Sequence, residues 1–141
     1  LWSRYVDEEN EPLFPFGFGL SYTRFAYGDL RLAETRLTKE GRLRAEVAVT
    51  NTGKRAGREI VQLYVRQLVA SRTLPLRRLK GIAPVDLAPG ETKRVVLEAP
   101  VADLGYADGL GRPVLEPGPF EAFVGGSSTA TLSARFEVTE K

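Results

Sequence analysis

The sequence predicts an all-β fold: a two-sheet antiparallel β-sandwich of immunoglobulin-like type, with an irregular aromatic arm at its N-terminus. Seven or eight short segments show the two-residue alternation of apolar and polar side chains that half-buried strands have. Turn residues separate these segments at regular intervals. No stretch has the 3.6-residue period of an amphipathic helix. Together these three observations are typical of a β-sandwich.

The segment from Arg42 to Asn51 has the clearest alternation of any strand. Leu43, Ala45, Val47 and Val49 share one face, and mostly polar residues share the other. This pattern indicates an antiparallel sheet with one face in the core and one in water. The other strands are predicted, in chain order, at Ala26–Leu37, Arg58–Val69, Leu79–Leu87, Thr92–Ala99, Phe120–Val124 and Thr131–Val138.

The connections between these strands follow from their glycines, prolines and asparagines. Turns are predicted at residues 51–54, 89–90 and 125–128. Pro84 places its strand at a sheet edge or at a bulge, because proline cannot donate to a ladder. Residues 101–104 form a short strand or a turn, and residues 107–119 form a loop rich in glycine and proline.

The aromatic arm, Pro12–Thr23, reads PLFPFGFGLSYT and matches neither regular structure. Pro15 removes a backbone donor and the glycines weaken any helical turn, so the arm is not a helix. It lacks the alternation of a strand. Its rings must bury against something, and two interpretations remain open: the arm closes one end of its own domain, or it joins this domain to a partner.

Length and composition predict a single soluble globular domain of 141 residues. The net charge is only +2 and opposite charges are interspersed, so no nucleic-acid partner is expected. The densest basic patch, Arg72–Lys80, is interrupted by leucines and a proline, which favours an exposed strand or loop. No apolar run is long enough to cross a bilayer, so no membrane partner is expected. The polar first residues do not resemble a signal peptide.

The chain contains neither cysteine nor histidine. It therefore lacks thiol chemistry, the commonest general base and the commonest metal ligand. Asp103 and Asp108 lack the spacing of a calcium loop and are interpreted as turn caps. The acidic run Asp7–Glu9 is interpreted as a solvated turn. No nucleophile with a base is found, and no catalytic residue, cofactor or metal site is predicted.

Five ordered blocks, covering some 130 residues, resemble one known family. PLFPFGFGLSYTRF resembles the segment that joins the catalytic domains of glycoside hydrolase family 3 β-glucosidases to their C-terminal fibronectin type III-like domain. VTNTGKRAGREIVQLYV and LKGIAPVDLAPGETKRVVLEAP resemble the central strands of that domain, and DLGYAD and EPGPFEAFVGGSS its closing strands. SRYVDEENEPLFPFGFGLSY is especially similar to bacterial periplasmic β-glucosidases.

This resemblance implies a retaining β-glucosidase whose two catalytic carboxylates lie in upstream domains, so that the present chain alone is inactive. The implied partners are those upstream catalytic domains and, for the parent enzyme, a β-glucoside substrate. The resemblance also implies a periplasmic or secreted location. It places the interdomain contact on the aromatic residues before the sandwich, namely Trp2, Tyr5, Phe14, Phe16, Phe18 and Tyr22. In the family a tyrosine or histidine often stands where this chain has Phe18.

The resulting domain division is an arm or linker at residues 1–24 and a fibronectin type III-like β-sandwich at residues 25–141. Two other hypotheses about the function remain open beside the one that the resemblance implies. A carbohydrate-binding module would use Tyr5, Tyr27 and Tyr106 as stacking platforms for a glycan, although these rings are scattered along the sequence. An independent adhesin or receptor domain is the third hypothesis.

Overall fold

The computed structural model describes residues 5–7, 23–68, 77–107 and 109–140. These residues form a short 3-10 helix at Val101–Asp103 and eleven strands. The strands are β1 Tyr5–Asp7, β2 Phe25–Leu32, β3 Arg36–Thr38, β4 Arg42–Asn51, β5 Gly57–Gln67, β6 Arg78–Leu87, β7 Thr92–Pro100, β8 Tyr106–Ala107, β9 Pro113–Val114, β10 Gly118–Gly125 and β11 Ser133–Thr139.

Nine of these strands build two sheets that enclose one core. Sheet A has the order β1-β2-β4-β7, and sheet B has the order β3-β11-β10-β5-β6. Inward-facing residues of both sheets belong to a single buried cluster, as the predicted sandwich requires. The predicted alternation of β4 is confirmed, because Leu43, Ala45, Val47 and Val49 are all fully buried.

Most predicted strands and turns are confirmed with shifts of one or two residues at their ends. β6 is the edge strand of sheet B, which agrees with the position predicted from Pro84. Residues 125–128 turn the chain from β10 into β11, and these two strands pair antiparallel.

The prediction of one strand over Ala26–Leu37 is wrong, because the chain changes sheets within that segment. β2 pairs with β4 in sheet A, whereas β3 pairs with β11 in sheet B, and this second pairing is parallel. The register of β2 shifts between Gly28 and Arg31, and Asp29 has a positive φ of 56° there. Such a bulge bends a strand and raises its twist, and β2 ends a few residues later.

Two smaller predictions also need correction. Residues 101–104, predicted as a short strand or turn, form the 3-10 helix, in which the Leu104 N–H donates to the Val101 carbonyl at 3.0 Å. Residues 107–119, predicted as a loop, include β9, which pairs antiparallel with β8. Within the ranges described, no helix is long and apolar enough to cross a bilayer.

Candidate interdomain attachment site

Most residues of the predicted interdomain contact lie outside the described part of the chain. These are Trp2, Phe14, Phe16, Phe18 and Tyr22, and their role stays a prediction. For Tyr5 the structure describes the backbone, which lies in β1 and pairs with Tyr27 on β2. The structure therefore bears on the site through Thr23, the last residue of the predicted arm, which directly precedes the residues that lead into β2.

Thr23 is buried at this point, with only 7% of its surface exposed. Its hydroxyl donates to the side-chain oxygen of Asn51 at 2.6 Å. Gly53 and Gly57 lie so close to Thr23 that neither position has room for a side chain. A Cβ at Gly53 would collide with the Thr23 hydroxyl oxygen, and one at Gly57 would lie 2.6 Å from the Thr23 methyl group.

Asn51 is the centre of this attachment and is completely buried. Its side-chain oxygen also accepts from the Gly53 N–H at 2.9 Å. Its side-chain nitrogen donates to the carbonyl of Arg55 at 2.8 Å and to that of Leu87 at 3.0 Å. Because Asn51 ends β4 of sheet A and Leu87 ends β6 of sheet B, one amide connects both sheets to the start of β2.

The main chain of Asn51 is bonded as well. Its N–H donates to the Glu91 carbonyl at 3.0 Å, and its carbonyl accepts from the Gly90 N–H at 2.8 Å. All the polar groups of this residue therefore have partners, which removes most of the free-energy cost of burying an amide. We call Thr23, Asn51, Gly53, Gly57 and Leu87 the Thr23 clamp.

A second buried polar contact lies near the clamp, between Tyr27, four residues after Thr23, and Glu59, two residues after Gly57. The Tyr27 hydroxyl on β2 donates to the Glu59 carboxylate on β5 at 2.6 Å, and both residues are buried. This hydrogen bond also joins sheet A to sheet B. The residues that root the arm are thus fixed by polar contacts across the whole thickness of the sandwich.

The position of Tyr27 corrects one hypothesis about sugar binding. Only 2% of its surface is exposed and its hydroxyl is engaged by Glu59, so Tyr27 offers no face for stacking on a glycan. The side chains of Tyr5 and Tyr106 lie outside those that the structure describes. Of the three predicted stacking platforms, Tyr5, Tyr27 and Tyr106, Tyr27 is therefore excluded.

Two described carboxyl groups share a groove on the sandwich surface, and arginines pair with both. An open groove of about 660 Å³ contains Asp29 and Glu121. Asp29 accepts from Arg31 at 3.1 Å and from Arg94 at 2.9 Å, and Glu121 accepts from Arg66 at 3.2 Å and from Ser133 at 3.0 Å. These arginine contacts hold the carboxylates in fixed ion pairs on the sandwich surface.

The direction of the pKa shifts agrees with this structural role. Hydrogen bonds from Arg31 and then Arg94 hold the pKa of Asp29 below its ordinary value, and the hydrogen bond from Arg58 does the same for Asp86. No group of three potential metal ligands occurs among the described residues.

Strand parity is a sequence signal for the two buried polar residues Asn51 and Glu59. Asn51 continues the inward-facing series Leu43, Ala45, Val47 and Val49, and Glu59 has the same parity as Val61, Leu63 and Val65 on β5. A polar residue at an inward position of a strand must find partners in the core. That argument predicts buried hydrogen-bonded roles for both residues.

Comparisons with known proteins place this geometry in a family. The model of the fibronectin type III-like domain matches residues 59–128, about half of the chain. Over 136 residues the chain is 40% identical to a periplasmic β-glucosidase of Salmonella typhimurium, and these cover 96% of this chain but 18% of the relative. A β-xylosidase of Formosa agariphila is 45% identical over 127 residues, 90% of this chain and 18% of its own length.

Solved structures give the same result. A β-glucosidase from Erythrobacter marinus superposes with a TM-score of 0.77 at 39% identity, covering 97% of this chain and 18% of that one. β-Glucosidase 3B from Thermotoga neapolitana gives 0.72 at 39% identity, with 90% and 17% covered. The chain thus spans less than a fifth of the length of these relatives. It belongs to the fibronectin type III-like domains found in family 3 β-glucosidase-like proteins.

Proposed function

We propose that this chain is the C-terminal, non-catalytic module of a retaining β-glucosidase, and that it stabilises catalytic domains elsewhere in the same polypeptide. In this proposal the arm is the join, and its aromatic side chains bury against the preceding catalytic domain. The contact residues are Trp2, Tyr5, Phe14, Phe16, Phe18 and Tyr22. The terminal β-D-glucosyl bond is hydrolysed by carboxylates outside this chain.

The observation that carries the proposal is the Thr23 clamp. A flexible linker would leave the sandwich through exposed residues that make few contacts. Here the arm ends instead on a buried threonine that is hydrogen-bonded to a fully buried asparagine. A fixed root gives the aromatic segment a defined direction, and a fixed direction lowers the entropy cost of docking.

The chemistry of the described surface supports a non-catalytic role. Hydrolysis with retention needs two carboxyl groups about 5–5.5 Å apart, one of them with a raised pKa. Hydrogen bonds from arginines shift the pKa of Asp29 and that of Asp86 downward, opposite to the shift that an acid catalyst needs. The names of the relatives, which span more than five times this length, support hydrolysis by the remainder of the polypeptide.

The non-catalytic half of the proposal is tested by activity. The 141-residue chain should release no aryl alcohol from an aryl β-glucoside above a buffer control, whereas the full-length polypeptide should turn over the same substrate. Turnover by the chain that persists through purification would contradict the proposal. So would an inactive full-length polypeptide that is folded and accepts no β-glycoside.

The join is tested by Phe16→Ala in the full-length polypeptide. If the ring is buried between domains, its loss should cost on the order of 3–5 kcal/mol of docking free energy. The temperature at which half of the glucosidase activity survives heating should therefore fall. Val96→Ala is the matched control, since Val96 lies on the solvated face of sheet A, and an equal response to both changes would contradict the proposed join.

A further inference from the structure

The outer face of sheet B has a strip of apolar side chains along its edge. Val61, Leu63 and Val65 of β5 point into the core, so the alternate residues of that strand point outward. The strand pairing places each of these outward residues beside one from β6. The strip consists of Ile60 beside Pro84, Ile82 beside Gln62, and Leu79 beside Tyr64.

The strip is exposed, although its members would ordinarily be buried. The exposed fractions are 40% for Ile60, 51% for Leu79 and 61% for Ile82, and Pro84 is exposed as well. A row of large apolar side chains in water is costly, and contiguous exposed patches of this kind mark interaction surfaces.

The outer face of sheet A provides a comparison, because it is the other outer face of the same sandwich and its exposed side chains are mostly charged. There Arg42 and Arg44 pair with Glu98 at 3.3 and 3.2 Å, and Arg94 pairs with Glu46 and Asp29. Val96 is the one large apolar side chain exposed on the described part of this face. The outer face of sheet A is therefore suited to water, whereas the strip on sheet B, which the exposed Arg58–Asp86 ion pair borders at one end, is suited to a partner.

One end of the strip carries positive charge. Phe123 of β10 is the neighbour of Tyr64 in the sheet, and its ring is covered by two guanidinium groups, Arg77 at 3.7 Å and Arg66 at 5.5 Å from the ring centre. Arg66 is paired with Glu121. Arg77 donates only to the carbonyls of Ser128 and Ala130 and forms no salt bridge within the described ranges.

The position of Arg77 makes it a point of attachment for an anionic group. Burial, and then the neighbouring Arg66, lower the pKa of its guanidinium, and the nearby Glu121 acts in the opposite direction. A carboxylate within hydrogen-bond distance of this guanidinium would favour its charged form and would form a charge-assisted hydrogen bond. The partner that fits this face is therefore apolar along the strip and acidic opposite Arg77.

We propose that this strip docks against the catalytic portion of the same polypeptide, with an acidic group of that portion facing Arg77. The inference rests on the proposed function, and it adds a second contact surface to the arm. It assigns the two faces of the sandwich different roles: sheet B faces the enzyme, and sheet A faces solvent.

Two observations favour this occupant over a second copy of the chain. The relatives have more than four-fifths of their length outside the matched region, so a large partner is covalently attached. The arm root is also near the strip along β5, because Thr23 packs on Gly57 at the start of that strand and Ile60 follows three residues later. Gly57 faces the core and Ile60 faces outward, and three residues of strand span about 10 Å, so a partner that extends from Thr23 around the end of β5 reaches the strip.

The absence of cysteine from the chain permits a direct footprint of both faces. I82C and I60C place single thiols on the strip, and V96C places one at a comparably exposed position on sheet A. Each thiol is labelled with a maleimide, in the isolated chain and in the full-length polypeptide, and the labelled peptide is quantified by mass spectrometry. The two strip variants ensure that one folding failure does not decide the result.

In the full-length polypeptide, I82C and I60C should label at least about tenfold more slowly than in the isolated chain, which corresponds to docking favoured by about 1.4 kcal/mol. V96C should label at the same rate in both. Adding Arg77→Gln should speed the labelling of I82C in the full-length polypeptide, because the facing acidic group loses its cation.

Equal rates for I82C and I60C in both proteins would overturn the assignment of the strip. Slow labelling of the isolated chain that depends on its concentration would overturn it in favour of a second copy. The result is separable from the proposed function: if Phe16→Ala still lowers the heat resistance of the enzyme, the join stands while the strip fails. If Phe16→Ala also has no effect, the join fails with it.

Discussion

The hydroxyl of Thr23 donates to the fully buried side-chain oxygen of Asn51 at 2.6 Å, across 28 residues of sequence. Asn51 is also bonded to Leu87 at the end of sheet B. The start of β2 is therefore fixed relative to both sheets, and so is the direction in which the chain enters from the arm.

Asn51→Ala should be among the most destabilising single substitutions in the sandwich. It leaves the Thr23 hydroxyl, the Gly53 N–H and the carbonyls of Arg55 and Leu87 without their partner. Unsatisfied buried groups cost about 1–3 kcal/mol each, and we expect a total loss of about 3 kcal/mol after relaxation. Urea unfolding of the chain measures this loss.

Thr50→Ala is the control for this substitution. Thr50 is the neighbouring residue on the solvated face and bonds only to the exposed hydroxyl of Thr92. Its replacement should change the free energy of unfolding by about 0.5 kcal/mol or less. Similar losses for the two variants would contradict the central position of Asn51.

A double-mutant cycle tests the contact between Thr23 and Gly57. Gly57→Ala places a methyl group 2.6 Å from the Thr23 methyl, and we expect a loss of about 1–3 kcal/mol from overpacking. Thr23→Ser removes that methyl and keeps the hydroxyl for Asn51, so it should restore much of the stability when combined with Gly57→Ala.

Gly28→Ala provides the reference for this cycle, because no atom lies within 4 Å of the added methyl. It should unfold at nearly the same urea concentration as the parent chain. Additive effects of Gly57→Ala and Thr23→Ser would show that the two residues are not in contact.

Tyr27→Phe tests the second polar link between the sheets. The substitution removes the hydroxyl that donates to the buried Glu59 carboxylate at 2.6 Å. Loss of a hydrogen bond that leaves a buried partner unsatisfied costs about 1–3 kcal/mol, so the loss of stability should fall in that range. Tyr64→Phe, which removes a half-buried bond to Gln62, should cost less, and the reverse order would count against the buried contact.

The stability of the chain should fall at low pH, and Asp29 should be one cause. Hydrogen bonds from Arg31 and Arg94 lower its pKa in the folded state below the ordinary value of 3.8. A carboxyl with a depressed pKa contributes stability that is fully present above 3.8 and is lost as pH falls through the folded value.

Asp29→Asn isolates this effect, because asparagine also tolerates the positive φ at this position. The difference in urea midpoint between the parent chain and the variant should be constant above pH 3.8 and should shrink below it. Asp103→Asn is the control substitution, because Asp103 is exposed and forms no salt bridge with another described residue. A difference that stays constant down to acid unfolding would contradict the assignment.

Side-chain periodicity predicted those parts of the fold that depend on which residues face the core. The β4 pattern from Leu43 to Val49 identified both the strand and its buried face, since burial on alternate positions is a local property. The division of residues 26–37 between two sheets was not predictable in this way. It accompanies the bulge at Asp29, where the ion pair with Arg94 joins residues 65 apart in sequence.

The candidate site was predicted from composition only in outline. The run of prolines, glycines and aromatic residues predicted an arm that must be buried, but not the residues that hold its root. Those residues, Thr23, Asn51 and Gly57, meet only after the two sheets have packed together. The inward parity of Asn51 was the one local signal for the site.

The most direct test of stabilisation is the heat resistance of the full-length polypeptide carrying Asn51→Ala, with Thr50→Ala as the control. Neither residue belongs to the proposed catalytic domains, so any effect must pass through this module. Asn51→Ala should lower the temperature at which half of the aryl β-glucosidase activity survives heating, and Thr50→Ala should leave it unchanged. An unchanged temperature for Asn51→Ala, in a polypeptide whose module is shown to unfold earlier, would contradict the proposal that the module stabilises the enzyme.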